Sequence, residues 1–191
     1  LQSSAASDVY KRQVLNVREI MKELVKSYLD IIMLRKGPDV IPSSWLILSI
    51  SIGLLIISSA GVLLLINNES DHQSWINFIG YFLGIAFYML ILTGYGYNHR
   101  ILQTISAIIA CGSLITIVFV LEFIFFAPFI GKNFAGLIAS LIMLWSVPVE
   151  GHIISSAINS KRFIGIIIAI TALFLQFLFQ INMSKYLTSV A

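Results

Sequence analysis

The chain has 191 residues, of which 58% are hydrophobic and 11% charged, with a formal charge of +3. A mean hydropathy of +0.93 excludes an ordinary water-soluble domain, in which the charged share alone is about 25%. A single cysteine, Cys111, lies inside an apolar run, so neither an intrachain disulfide nor a CxxC redox pair can form, which argues against a thiol-oxidoreductase membrane enzyme.

Residues 1–13 contain no apolar run long enough for a signal peptide. They resemble a prefix that recurs on unrelated sequences as an assembly artefact, and an artefactual or disordered leader is expected there. From Val14 the pattern becomes helical. At about 100° per residue, Val14, Val17, Met21, Leu24, Val25, Tyr28, Ile31 and Ile32 fall on one arc. Arg18, Glu19, Lys22, Glu23, Lys26 and Asp30 fall on the other, interrupted by Leu15 and Leu29. An amphipathic helix over 14–36 is expected, too charged to span, with its apolar arc in the headgroup boundary or against the other helices. Arg35, Lys36, Gly37, Pro38 and Asp39 end it, because Pro38 cannot continue a helix and two cations suit the negative end of its dipole.

Five apolar stretches follow at 44–66, 75–96, 101–127, 133–157 and 163–182. Each is long enough for about 30 Å of hydrocarbon at about 1.5 Å per residue, and in lipid such runs must be helical. The expected fold is therefore an all-α polytopic membrane bundle with about five transmembrane helices, one domain over 44–182, and a short tail over 183–191. Arg18, Lys22, Lys26, Arg35, Lys36, Arg100, Lys161 and Arg162 fall on one side of this arrangement, against Lys132 and Lys185 on the other. The positive-inside rule then makes the N-terminus cytoplasmic and the C-terminus external.

Helix packing is partly legible. Gly80 and Gly84 form a GxxxG step in the second span, and Gly165, Ala169, Ala172 and Gln176 share one side of the fifth. Small residues let helices approach closely, and Gln176 and Gln180 can bond across an interface, each worth about 1 kcal/mol or less.

Glu150 is the principal candidate for chemistry. A carboxylate inside the fourth span must be protonated, paired or facing a wet cavity, and Gln176 is its expected partner, although the two differ in depth by roughly 9 Å. Pro148 removes one backbone hydrogen bond and predicts a kink beside Glu150 and His152. Irregular backbone at that depth is tolerated only where protein or a cavity surrounds it. His152 lies about 200° round the helix from Glu150, so the pair cannot grip one ion and no metal site is expected. Hydrogen bonding near the inner interface suits His152 better. Glu122, less than about two turns from Pro128, is expected to reach towards water at the outer end of the third span.

Three segments resemble a known family: Asp30 to Pro38 before the first span, Gly94 to Tyr97 at the end of the second, and Trp145 through Gly151 to Ile154 in the fourth. They look like a family of proteobacterial inner-membrane proteins that is itself similar to the five-span Yip1 domain. The resemblance covers nearly everything after Gln13; it implies a multi-pass membrane protein and supplies no catalytic residue to carry over. No cofactor, metal or nucleic acid is expected. The expected partners are the lipid bilayer, an anionic lipid or a protein at the N-terminal helix, and a second copy of the chain. A non-enzymatic membrane scaffold or organiser is the favoured expectation, and a small transporter or channel subunit using Glu150 is the alternative.

Overall fold

The computed structural model describes Glu19 and residues 21–65 and 71–190. The expected leader, the first turns of the expected amphipathic helix and most of the 67–73 loop lie outside the described residues. Among the described residues there is no strand, and five helices are long and apolar enough to cross a membrane. The protein is an integral, multi-pass membrane protein, and its described part is a helical bundle.

Helix α1 covers 21–32. It leads through a 3-10 turn at Pro38–Val40 to α2 (Trp45–Leu65) and α3 (Asp71–Gly94). A second 3-10 turn, Asn98–Arg100, precedes α4 (Ile101–Ile130), which is followed by α5 (Lys132–Leu144), α6 (Ser146–Ala157) and α7 (Arg162–Val190). α5 and α6 together make the fourth span. The helix breaks at Trp145, three residues before the proline, because Pro148 has no N–H to offer the Leu144 carbonyl.

Two helices outrun their expected ends. α4 passes through Pro128, whose missing N–H costs only one bond in the last turn, and closes where Gly131, at φ 83°, donates its N–H to the Ala127 carbonyl at 3.1 Å. α7 continues from 182 to Val190, since 183–190 contain neither Pro nor Gly to stop it.

α4 is the centre of the bundle. It packs along α2 on one side and α5 and α6 on the other, while α7 lies against α6 and α3. Thr104 to Cys111 are buried on every face, which is possible because Thr, Ser, Ala and Cys make up most of that run and let neighbouring helices close in. α1 supplies part of the enclosure through Leu24, Tyr28 and Ile31, all buried. The Tyr28 hydroxyl meets the Ser51 hydroxyl at 3.4 Å, the Cys111 thiol points at the Tyr28 carbonyl at 3.9 Å, and burial pushes the Tyr28 phenol above its ordinary pKa. The expected apolar arc of α1 is thus divided, because Met21 and Val25 remain exposed beside Leu29 and the charged Lys22, Glu23 and Lys26. After α1, Lys36 reaches back to Asp30 at 2.8 Å and, as its hydrogen-bond donor, holds that carboxyl below the usual carboxylate range.

The small-residue faces meet as their spacing predicts. Gln180 packs on Gly80 and Gln176 on Gly84, joining α7 to α3, while Gly165 crosses Gly151 so closely that a Cβ at Gly165 would overlap the Gly151 carbonyl oxygen. Ala169 and Ala172 are fully buried on the same side of α7.

At the end of the bundle that carries Arg100, Lys161 and Arg162, here termed the basic end, the connecting turns are tied together. Arg100 donates to the Ala157 carbonyl at 3.0 Å and stacks its guanidinium 5.2 Å from the centre of the Tyr97 ring. The Asn159 amide donates to the Tyr97 hydroxyl at 3.2 Å, and the Gln103 amide donates to the Ile41 carbonyl.

Candidate functional site

The site is assembled around one pair. Glu150 sits on α6, just after the break at Trp145, and Tyr88 sits on α3; both are about 10 Å from the basic end along their own helices. The Tyr88 hydroxyl donates to Glu150 Oε2 at 2.5 Å. Tyr88 is almost completely buried, so this bond satisfies two polar groups that the interior would otherwise leave stranded.

A cavity of about 440 Å³ opens from this pair towards the opposite end, within the range of small-molecule sites. All five spans line it. α2 contributes Ser58 and Ser59, α3 Asn77, Tyr81 and Gly84, and α4 Gly112, Ser113 and Thr116. Met143 from α5, Ser146 and Glu150 from α6, and Gln176 from α7 complete the wall. Asn77 is about 25 Å from the basic end of α3, so the cavity extends lengthwise through the membrane interior rather than lying across it. Towards the basic end the next turns of α3, α4 and α6 carry Leu92, Ile105 and Ile153, all buried.

The hydroxyls on the wall are oriented by their own helices. Ser58 donates to the Leu55 carbonyl at 2.9 Å, Ser113 to Ile109 at 2.7 Å and Thr116 to Gly112 at 2.9 Å. Each therefore has its lone pairs, rather than its proton, left for a guest.

The four residues singled out from sequence have different surroundings. Glu150 and Gln176 line the same cavity, but Glu150 is paired with Tyr88 rather than with the expected Gln176. Gln176 lies about 10 Å further along the bundle, with its amide group over Gly84. His152 faces away from the cavity: its Nε2 donates to the Lys36 carbonyl at 3.0 Å, which fixes the chain between α1 and α2 onto α6, and its buried Nδ1 has no partner. Glu122 does not reach out of the bundle. Because α4 runs on to Ile130, the Glu122 carboxyl lies about 12 Å from the helix end. Both of its oxygens are buried without a hydrogen-bond partner, beside a separate hollow of about 380 Å³ with Val118, Phe125 and Phe126.

Tyr88, Tyr81, Ser113 and Thr116 carry no sequence signal that marks them. Hydroxyl residues are common in spans, and Tyr88 meets Glu150 across 62 positions of chain. Of the three segments that carry the family resemblance, the first and the third touch each other, and the second is tied to the turn that follows α6. The Trp145 indole donates to the Ile32 carbonyl at 3.1 Å, His152 holds Lys36, Gly37 packs on Ser156, and Tyr97 is bonded to Asn159. Comparison with family models, curated proteins and solved structures yields no match.

Proposed function

We propose that this membrane protein is a small transporter or channel subunit that holds a solute in the cavity above Glu150. The cavity itself carries the reading: a largely apolar five-span space with a few placed polar groups and an ionisable side chain at its floor is what a translocation pathway requires, whereas a purely structural bundle gains nothing from leaving it unfilled. The broken fourth span agrees with this, since interrupted helices at depth are tolerated where they line a cavity. In the same reading the basic end faces the cytoplasm of a bacterial cell from the inner membrane, the chain is a relative of the Yip1-like family, and the cavity is closed on the cytoplasmic side.

The test is flux. Proteoliposomes carrying the wild-type protein should pass at least one solute from a panel of small cations, anions and neutral molecules faster than protein-free vesicles, and Glu150→Gln should abolish the excess. A wild type no faster than empty vesicles for the entire panel would overturn the reading.

A second reading, the membrane organiser, draws on α1. Met21, Val25, Leu29 and Met33 form an exposed apolar row beside Lys22 and Lys26, a combination suited to an anionic lipid surface, a protein partner or a second copy of the chain. Replacing Met21, Val25 and Leu29 with Asp should weaken association with anionic vesicles or partner and leave flux intact.

A further inference from the structure

We infer that the solute accepted above Glu150 is a small organic ammonium cation. The inference rests on the proposed reading of the cavity as a solute site and goes beyond it by naming the chemistry the walls select. Three observations converge.

The first is charge. Glu150 brings a carboxyl group to the cavity, and among the described residues no Lys, Arg or His lines it. An anion would therefore enter a low-dielectric space with no counter-charge, at a prohibitive desolvation cost, while a cation meets a carboxyl group that can give up its proton and become one. The second is hydrogen-bond polarity. Ser58, Ser113 and Thr116 spend their protons on their own helices and Tyr88 spends its proton on Glu150. What these four present is lone pairs, which suits a guest that donates. The third is aromatic: Phe78, Tyr81 and Tyr88, spaced along α3, all line the cavity, and aromatic rings attract ammonium groups most strongly where water is excluded.

The same features argue against a bare metal ion. Calcium or magnesium takes six or more oxygens, usually with several carboxylates or retained waters, and a single carboxyl already bonded to a tyrosine falls short of that. The apolar remainder of the wall, with Leu55, Val62, Ile85 and Leu173, favours a cation that carries a hydrocarbon body.

The experiment is a binding titration of purified full-length protein with n-butylammonium chloride at constant ionic strength. Pentanoate, 1-pentanol and sodium chloride, titrated in parallel, cover the anionic, neutral and inorganic cases. The wild type should bind n-butylammonium saturably and pentanoate not at all. Glu150→Gln should raise the n-butylammonium dissociation constant by about 10- to 100-fold, the range expected for losing a charged hydrogen bond. Tyr88→Phe, which keeps the aromatic face and the carboxyl group, should bind more tightly than Glu150→Gln. Glu122→Gln removes a carboxyl outside the cavity and should bind as the wild type does, with every variant first shown by its elution volume to be folded at the titration temperature. If 1-pentanol or pentanoate binds and depends on residue 150 while n-butylammonium does not, the cavity is a solute site but the ammonium assignment is wrong. Saturation by sodium alone would overturn it equally, in favour of an inorganic cation. If no probe binds, both the assignment and the solute-site reading fall.

Discussion

Tyr88 and Glu150 stand or fall together. Removing the hydroxyl with Tyr88→Phe leaves a buried carboxyl without its donor, which should cost about 1–3 kcal/mol in an unfolding measurement in detergent micelles. Glu150→Leu removes the acceptor as well as the charge. In the Tyr88→Phe background it should restore most of that stability, because a polar pair replaced on both sides by apolar groups is close to neutral. Activity should not follow stability: Glu150→Leu and Glu150→Gln are both expected to be folded, inserted and inactive in flux. Full activity in the well-folded Leu variant would make the pair merely structural. Glu150 could be singled out from sequence because a charged residue deep in an apolar run is costly and needs an explanation. Tyr88 could not, because a tyrosine in a span is unremarkable until the fold brings it to a carboxyl group 62 positions away.

Spacing within single helices foretold how the helices approach one another, and two glycines separate the close contacts from the adjustable ones. A Cβ at Gly165 would meet the Gly151 carbonyl, which belongs to the backbone and can move only if α6 and α7 separate. At Gly84 the new Cβ would instead meet the end of the Gln176 side chain, which can swing aside. Gly165→Ala should therefore destabilise by about 3 kcal/mol, the upper end of the usual range for overpacking, and Gly84→Ala by less than about 1 kcal/mol, both read from thermal or denaturant unfolding. Equal costs would show that the α6–α7 crossing is more yielding than its geometry implies. Pro148 likewise announced a break in the fourth span, though it falls at Trp145, where the carbonyl-to-proline mismatch is relieved one turn earlier. α1 was harder to read. Helical periodicity groups Met21, Leu24, Val25 and Tyr28 on one arc, but whether a residue faces the bundle or is left exposed depends on where α4 lies, and only Leu24, Tyr28 and Ile31 turn inward. Asp at Leu24 or Tyr28 should accordingly damage folding, while Asp at Met21 or Leu29 should not.

At the scale of the whole molecule, composition alone required helices in lipid, and the five spans follow from run length because apolar stretches of this kind have no other way to satisfy their backbone. The cavity had no such signature. It arises where α2 lies along α4 and α3 along α7, leaving a space that neither pair fills, and no local pattern encodes a gap between helices that are distant in sequence. Orientation remains a matter of charge: a reporter fused after Ala191 should be found outside the cell and one inserted near Lys161 in the cytoplasm, and the reverse at either position would remove the positive-inside assignment. The central claim, that water and solute reach Glu150 through this space, is tested most directly by cysteine accessibility. In a Cys111→Ala background, Thr116→Cys lies on the cavity wall and Ala107→Cys in the buried section of α4 nearer the basic end, off that wall. A water-soluble, membrane-impermeant methanethiosulfonate added from the side opposite the basic end should modify Thr116→Cys readily and leave Ala107→Cys untouched. Protection of Thr116→Cys in folded, membrane-inserted protein would contradict the account.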